Sequence, residues 1–209
     1  MERAAKNLKT AKNLQSQETA SKIFHQAMRL FLAKGYHGSS IDDITRAAGI
    51  TKGALYWHFK SKEDLLNKII EEFEKRFIDQ MIHVVKDVDG GALDKFEKYV
   101  RFNSAFAYYN QELCVSFTAL AAELVGAHHV VEAPIRRIYK KYQSFLSDLI
   151  VQGQREKVFR KDIDPKLAGL VIIAFHDGIL LQWWMNRDKI DGKAYVNTFK
   201  KNILEGLMA

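Results

Sequence analysis

Apolar residues recur along the chain at intervals of three and four, the spacing that marks one face of an α-helix. This pattern predicts about nine helices and an all-α fold, since only two prolines interrupt a chain of 209 residues. The predicted helices cover about 18–34, 41–48, 52–59, 62–86, 92–110, 113–126, 130–157, 165–186 and 192–207.

Two of the predicted helices are short and are separated by a single glycine turn. Ser40 is a good N-cap for the first, and Asp43 stands at its third position, where the helix dipole favours a carboxylate. Gly49 ends that helix, and Thr51 caps the next. The spacing is typical of a helix-turn-helix unit.

The apolar positions of this segment have packing roles that leave one helix face outside. We expect the apolar contacts between the two helices to be made by Ile44, Ala47, Ala48 and Ile50. Leu55 and Phe59 are expected to hold the second helix inward, and Trp57 to pack near the following helix. The residues predicted to face outward are Lys52, Gly53, Ala54, Tyr56 and His58, with Trp57 beside them.

Charge is distributed unevenly between the two ends of the chain. Residues 1–62 hold 11 basic and 4 acidic residues, which accounts for the whole net charge of +7. A basic end on a neutral body favours a polyanion partner, although a solubilising tail would give the same charge. Residues 1–16 are polar and weakly patterned, and we interpret them as a basic flexible arm.

Several classes of protein are disfavoured by what the sequence lacks. No secretion signal precedes the first helix, and the apolar run 167–175 is short for a membrane span. The single cysteine, Cys114, is expected to be a small buried residue in a cytoplasmic protein. His128 and His129 are adjacent and would point to different helix faces, so we expect no metal, no cofactor and no enzymatic activity.

The segment 18–70 resembles the TetR family of bacterial regulators. The resemblance rests on Gly35-Tyr36, on Ile41-x-x-Ile44-x-x-Ala47-Ala48-Gly49, and on Thr51-Lys52-Gly53-x-Leu55-Tyr56-x-His58-Phe59-x-x-Lys62. It implies that Lys52 and Gly53 approach base edges in the major groove. It also implies that phosphates are contacted by Tyr36, Ser40, Thr51, Tyr56, His58 and Lys62.

The resemblance divides the chain into three parts: the arm 1–16, a DNA-binding domain 17–64, and an effector-binding and dimerisation domain 65–209. Independently, the helix 165–186 is apolar nearly all round, and a helix of that kind must be buried on all sides. A subunit interface would bury it. We therefore expect a homodimer through helices 165–186 and 192–207, which suits a palindromic operator of double-stranded DNA.

Aromatic residues are concentrated in the middle helices, where they are either core or the wall of an effector pocket. A buried Glu123 would favour a cationic ligand, whereas the basic cluster Arg136, Arg137, Lys140 and Lys141 could serve an acyl-CoA; both alternatives stay open. The pocket candidates are Phe102, Phe106, Tyr109, Phe117, Leu120, Glu123, Tyr142, Phe175 and His176.

The function expected is therefore a ligand-responsive transcriptional regulator, in which a small lipophilic effector releases a repressor from its operator. The rival classes are an enzyme and a helical module whose basic end binds acidic membranes. Nothing in the sequence supplies a catalytic motif, and membrane attraction does not require a glycine at position 53.

Overall fold

The structure is a computed structural model that describes residues 2–127 and 130–209, with side chains from Asn13 onward. The described residues form nine helices and no β-strand beyond an isolated bridge between Phe159 and Met208. The helices are α1 (Glu2–Lys34), α2 (Ile41–Ala48), α3 (Lys52–His58), α4 (Lys62–Phe73, continuing through Glu74–Asp79 and Gln80–Lys86), α5 (Ala92–Tyr109), α6 (Gln111–Leu124), α7 (Glu132–Arg155), α8 (Pro165–Asn186) and α9 (Gly192–Leu207).

The all-α prediction is confirmed, and the main difference in helix bounds is at the first helix. It begins at Glu2 rather than near Glu18, so residues of the predicted arm are helical. The polar composition of residues 2–17 concealed this extension because it supplies no apolar face for the 3.6-residue period to reveal. His128 and His129 lie outside the described residues.

The chain divides into two compact units, one ending at Ile69 and the other beginning at Ile70. The first turns of α4 therefore belong to the N-terminal unit. Within that unit Ile23, Ile44, Leu55 and Leu65 are completely buried. Ala48 is buried as predicted, but Ala47 is exposed, which corrects its predicted packing role.

The middle of α4 is π-helical, from Glu74 to Asp79. Short π-helical turns within α-helices are rare and are frequently found at functional sites. The turn buries Phe77 and Ile78, and its two carboxylates face basic residues of α7. Glu74 pairs with Arg137 at 3.0 Å, and Asp79 pairs with Lys141.

The core of the C-terminal unit contains a buried polar cluster between α5 and α7. The hydroxyls of Tyr99 and Tyr142 lie 2.7 Å apart, and the Tyr142 hydroxyl donates to Asn103 Oδ1 at 3.2 Å. Burial raises the pKa of both tyrosines above the ordinary value, so they remain neutral hydrogen-bonding groups. Cys114 is buried as predicted, and burial raises the pKa of its thiol to about 12.

Helix α8 has two apolar faces with different surroundings. One packs against α7, where a Cβ added at Gly169 would lie 3.2 Å from the Gln143 carbonyl oxygen. The opposite face is exposed and carries Leu167, Leu170, Val171, Leu181 and Met185. The helix is thus not buried on all sides within one protomer.

By length and composition α8 could also cross a membrane. That is weak evidence for a single helix, because the core helix of a globular protein passes the same test. One of its polar side chains, Asp177, is engaged within the unit, since it accepts a hydrogen bond from the Tyr139 hydroxyl at 3.2 Å.

Candidate DNA-binding surface and effector cavities

The outward face of α3 is the most exposed aromatic surface of the N-terminal unit. Leu55 is completely buried and Phe59 nearly so, which fixes the rotation of the helix. Tyr56 is 51% exposed and Trp57 is 82% exposed. The expectation that Trp57 packs near α4 is therefore wrong: two residues from the buried Leu55, it lies about 200° around the helix, on the solvent side.

Lys52 lies at the first position of α3 and is held by an acidic residue of α2. Its ammonium is 2.7 Å from Asp42 Oδ1, and both side chains are more than half exposed. This hydrogen bond raises the pKa of Lys52, so the side chain is cationic at neutral pH. Because the pair is exposed, it costs little to separate and leaves Lys52 available to a polyanion.

Gly53 has no structural requirement within the protein itself. Its φ angle is not in the left-handed region, and a Cβ added there would meet only the Thr51 hydroxyl oxygen at 3.9 Å. Glycine in a helix costs about 0.5–1 kcal/mol relative to alanine. Gly53 therefore lies on an exposed face, has room for a side chain and does not need the left-handed region. A glycine at such a position is consistent with a partner that approaches the backbone closely.

Ser40 and Thr51 both act as helix caps. The Ser40 hydroxyl accepts from the Asp43 amide at 3.1 Å and donates to Asp43 Oδ2 at 2.8 Å. These contacts lower the pKa of Asp43. The Thr51 hydroxyl accepts from the Ala54 amide at 3.1 Å. Both residues therefore orient the two helices, whatever else they contact.

Lys62 and Tyr36 form one internal cluster at the start of α4. The Lys62 ammonium donates to the carbonyls of Tyr36 at 2.9 Å and Ser39 at 2.8 Å, and lies 4.1 Å from the centre of the Tyr36 ring. Tyr36 is only 6% exposed. His58 is half-buried. The structure thus gives Lys62 intramolecular partners that the sequence did not reveal, since they lie more than twenty residues away.

The largest cavity described in the C-terminal unit lies between α5, α8 and α9 and has a volume of about 680 Å³. We call it the α5–α8–α9 cavity. Its walls include Tyr108, Tyr109, Ile179, Trp183 and Phe199. A second, much smaller space of about 20 Å³ lies beside the π-helical turn and is lined by Phe77, Phe117, Tyr139 and Tyr142 among others.

His176 lines both of these spaces. Its side chain is 14% exposed, and its ring stacks on Phe77 with centroids 5.7 Å apart. The Nδ1 atom is buried without a hydrogen-bond partner, and the nearest carboxylate oxygen, on Asp177, is 3.7 Å away. A cavity-lining imidazole with an unused polar atom is suited to contact a ligand.

The structure distributes the predicted pocket residues over different environments. Tyr109 and His176 line the α5–α8–α9 cavity, while Phe117 and Tyr142 line the small space. Phe102 and Phe106 stack beside Phe77, and Leu120 is core. Phe175 is half exposed and lines a separate groove of about 390 Å³ between α8 and α9, and Glu123 lines none of the three. The predicted pocket is therefore dispersed, because helical spacing alone does not say which elements meet.

The basic cluster of α7 is largely neutralised by acidic partners. Arg136 pairs with Glu132 at 2.8 Å, and Arg137 and Lys141 both pair with Glu74. These ion pairs, together with burial, leave the pKa of Glu74 lowered and that of Lys141 raised. Arg137 and Lys141 are therefore part of the contact between α7 and the π-helical turn, and Arg136 pairs within α7.

The N-terminal unit contains a short, capped helix pair, and the second helix of the pair is exposed, basic and aromatic. The C-terminal unit is all-α and contains a cavity. These features define a helix-turn-helix regulator with an effector domain. Residues 23–69 match the model of the bacterial regulatory proteins of the tetR family. Residues 65–206 match the model of the YsiA-like protein C-terminal region. The chain belongs to the TetR family.

Individual relatives align with most of this chain in sequence or in structure. The HTH-type transcriptional repressor DhaR of Mycobacterium sp. (strain GP1) is 26% identical over 167 residues, covering 80% of this chain and 83% of the relative. The MbdR regulator from Azoarcus sp. CIB superimposes with a TM-score of 0.82 at 26% identity, covering 91% of this chain and all of that one. FadR from Bacillus subtilis, solved in complex with stearoyl-CoA, gives a TM-score of 0.72 at 25% identity, covering 89% and 98%.

Membership settles the broad class of function. The protein is a DNA-binding transcriptional regulator with a C-terminal ligand-binding domain, and its relatives are regulators rather than enzymes. Regulators of this family bind operator DNA and small-molecule effectors, typically as dimers.

Proposed function

We propose that the protein is a repressor that binds a palindromic operator as a homodimer and is released when a small lipophilic effector occupies the C-terminal unit. It would act in the cytoplasm, on chromosomal DNA. The observation on which this rests is the exposed face of α3, where Lys52 and Gly53 lie at the helix N-terminus and Tyr56 and Trp57 lie one turn further along.

Direct base contact is proposed for two positions on α3. Lys52 can donate to guanine acceptors once it leaves Asp42, and Gly53 permits the backbone to approach the groove floor. Phosphate contacts are proposed for Thr51, Tyr56 and His58, and also for Ser40, Tyr36 and Lys62. For the last two, burial and internal hydrogen bonds favour a supporting role in which they hold the turn between α1 and α2.

The exposed apolar face of α8 supports dimerisation through α8 and α9. Leu167, Leu170, Leu181 and Met185 are each about half exposed or more, and Gly178 lies on the same face with nothing within 4 Å of an added Cβ. Small residues at the centre of an apolar face allow two helices to approach closely. A second copy of this chain is the occupant that covers such a face in a two-fold dimer, and no membrane partner is then required.

The proposed coupling passes from the effector cavity to α4 through two aromatic rings. A ligand that displaces His176 also removes the ring that stacks on Phe77, and Phe77 belongs to the π-helical turn. A change in that turn rotates the residues on either side of it, because a π-helical turn contains one residue more than an α-helical turn. Helix α4 runs from this turn back to Lys62, so effector and operator affinities would be linked reciprocally.

The experiment is a fluorescence-anisotropy titration of a labelled duplex carrying the inverted repeat nearest the gene. We expect binding that weakens steeply with salt, with half-sites roughly 34–36 Å apart. Lys52→Ala should reduce discrimination between the operator and a scrambled duplex by about 1–3 kcal/mol. The matched control is Lys161→Ala, an exposed lysine of the C-terminal unit, which should leave discrimination unchanged.

Two results would contradict the proposal. Binding to anionic vesicles with no preference for duplex would favour the membrane-binding alternative. Equal affinity for operator and scrambled duplex in the unaltered protein would exclude sequence-specific readout by α3.

A further inference from the structure

The α5–α8–α9 cavity combines an apolar interior with a charged rim. Its volume of about 680 Å³ lies within the range of about 300–1,000 Å³ found for sites that hold small organic ligands. Val100, Ile179, Leu180, Val196 and Phe199 supply the apolar wall. The rim residues come from α5 and α9, which are far apart in the sequence.

The charges on the rim do not cancel. Glu97 on α5 is paired with Lys200 on α9, with 2.6 Å between the carboxylate oxygen and the ammonium. The two remaining cations of the lining, Arg101 and Lys193, form no ion pair with any residue that the structure describes. They approach the cavity from opposite helices, so the rim keeps an excess of two positive charges.

We propose that this cavity binds an amphiphile with an apolar chain or ring system and an anionic head, which is held between Arg101 and Lys193. The inference rests on the proposed function, in which an effector acts on the C-terminal unit. The body of the ligand lies along Trp183 and ends at His176, a lining residue whose buried Nδ1 has no hydrogen-bond partner. The head is a carboxylate or a phosphate, since guanidinium and ammonium groups bind both.

A cationic ligand lacks a counter-charge in this site. Glu97 is already engaged with Lys200, and Glu123 does not line the cavity. Asp177 lines only the small space, where it accepts a hydrogen bond from Tyr139. A cation in the α5–α8–α9 cavity would therefore be desolvated beside two other cations.

A second copy on the exposed face of α8 would leave the site intact. His176, Ile179, Leu180 and Trp183 recur at helical spacing on the cavity side. Leu167, Leu170, Leu181 and Met185 are centred about 180° away around the same helix. Dimerisation and ligand binding thus use opposite faces of α8.

The test uses Trp183 as an internal reporter. In the full-length variant Trp57→Phe/Trp184→Phe, Trp183 is the one remaining tryptophan. Its fluorescence is titrated with dodecanoate, 1-dodecanol and dodecyltrimethylammonium, all below their micelle concentrations. We expect dodecanoate to bind about tenfold more tightly than the alcohol at low salt, and the cation to bind most weakly, because the charged head adds an attraction that salt screens.

The preference should depend on the rim cations. Arg101→Gln/Lys193→Gln is expected to reduce dodecanoate affinity to that of the alcohol while leaving the alcohol's affinity unchanged. The control, Arg155→Gln/Lys161→Gln, removes the same charge from exposed positions outside the cavity lining and should keep the preference. Val196→Phe, which fills the cavity, should abolish binding of both ligands in calorimetry, with retained helicity as the check on folding.

The source of the anionic head is distinguished by a fourth probe, dodecanoyl-CoA. Tighter binding than dodecanoate assigns the head to a phosphate, and weaker binding assigns it to a carboxylate. The proposal is overturned if none of the probes changes Trp183 fluorescence, if the alcohol or the cation binds as tightly as dodecanoate, or if Arg101→Gln/Lys193→Gln keeps the preference. Operator binding without ligand is measured in parallel, so failure of the proposed DNA function is a separate result.

Discussion

The N-terminal and C-terminal units build their functional surfaces over very different distances along the chain. In the N-terminal unit, Ser40 is fixed by Asp43 and Thr51 by Ala54, contacts only three residues apart. In the C-terminal unit, the rim of the cavity joins Glu97 to Lys200 across 103 positions. A local motif therefore builds the proposed DNA-binding surface, whereas long-range packing builds the proposed ligand cavity.

Because the proposed DNA-binding surface is built locally, we expect operator affinity to survive substitutions outside the helix-turn-helix. The exception is a substitution that prevents dimerisation. Leu170→Asp/Leu181→Asp places charges on the exposed face of α8 and should give a monomer. Operator affinity should fall at least about 100-fold, or about 2.7 kcal/mol, because one half-site alone is bound. Analytical ultracentrifugation measures the oligomeric state and fluorescence anisotropy measures the operator affinity, with Lys161→Asp as control. A monomer that keeps full affinity would show that the N-terminal unit acts alone.

The next largest effect tests long-range packing in the C-terminal unit. A Cβ added at Gly153 would overlap the ring of the completely buried Phe159, whereas one added at Gly206 meets nothing within 4 Å. Gly153→Ala should therefore lower the free energy of unfolding by about 1–3 kcal/mol or more. Gly206→Ala should not lower it. Thermal unfolding measures both, and equal effects of the two substitutions would contradict the packing argument.

A third substitution separates two roles for Lys62. If its ammonium chiefly holds the Tyr36 and Ser39 carbonyls, Lys62→Ala should lower the free energy of unfolding by about 1.5–3 kcal/mol. The salt dependence of operator binding should then be unchanged. If Lys62 instead contacts phosphate, the slope of log K against log salt should fall by about 1, with little loss of stability.

The smallest expected effect is at Gly53. Gly53→Ala should raise the free energy of unfolding by up to about 1 kcal/mol, because the position is helical and has room for a methyl group. Operator affinity should nevertheless fall, since the methyl group separates the backbone from the groove. Gly206→Ala is again the control. A variant that is more stable and binds DNA as well as before would remove Gly53 from the proposed contact surface.

The same contrast explains which features could be predicted from the sequence. Gly49 ends α2 with a φ angle of 62°, and its role is evident from its neighbours alone. The all-round apolar character of α8 predicts burial on every side, but within one protomer only the face toward α7 is buried, and the helical period does not show which face that is. Trp57 was misplaced because an aromatic residue on a short helix is usually buried, and this one is not.

The proposed ligand site is the least predictable part. Arg101 and Lys193 each resemble an ordinary solvated residue on an amphipathic helix, and only the packing of the helices places both in the lining of one cavity. Conversely, the basic cluster on α7 looked available in the sequence but is matched by Glu74 and Asp79 of the π-helical turn. Charge patterns give the sign of each residue, and packing decides which charges remain uncompensated.

The opposed faces of α8 also bear on how such a regulator can diversify. Substitutions at Ile179 or Trp183 would change what the cavity accepts without touching Leu170 or Leu181. A duplicated gene could therefore acquire a new inducer while still pairing with the parental subunit, and mixed dimers would respond to two signals. Separating the subunits would require independent changes on the other side of the same helix.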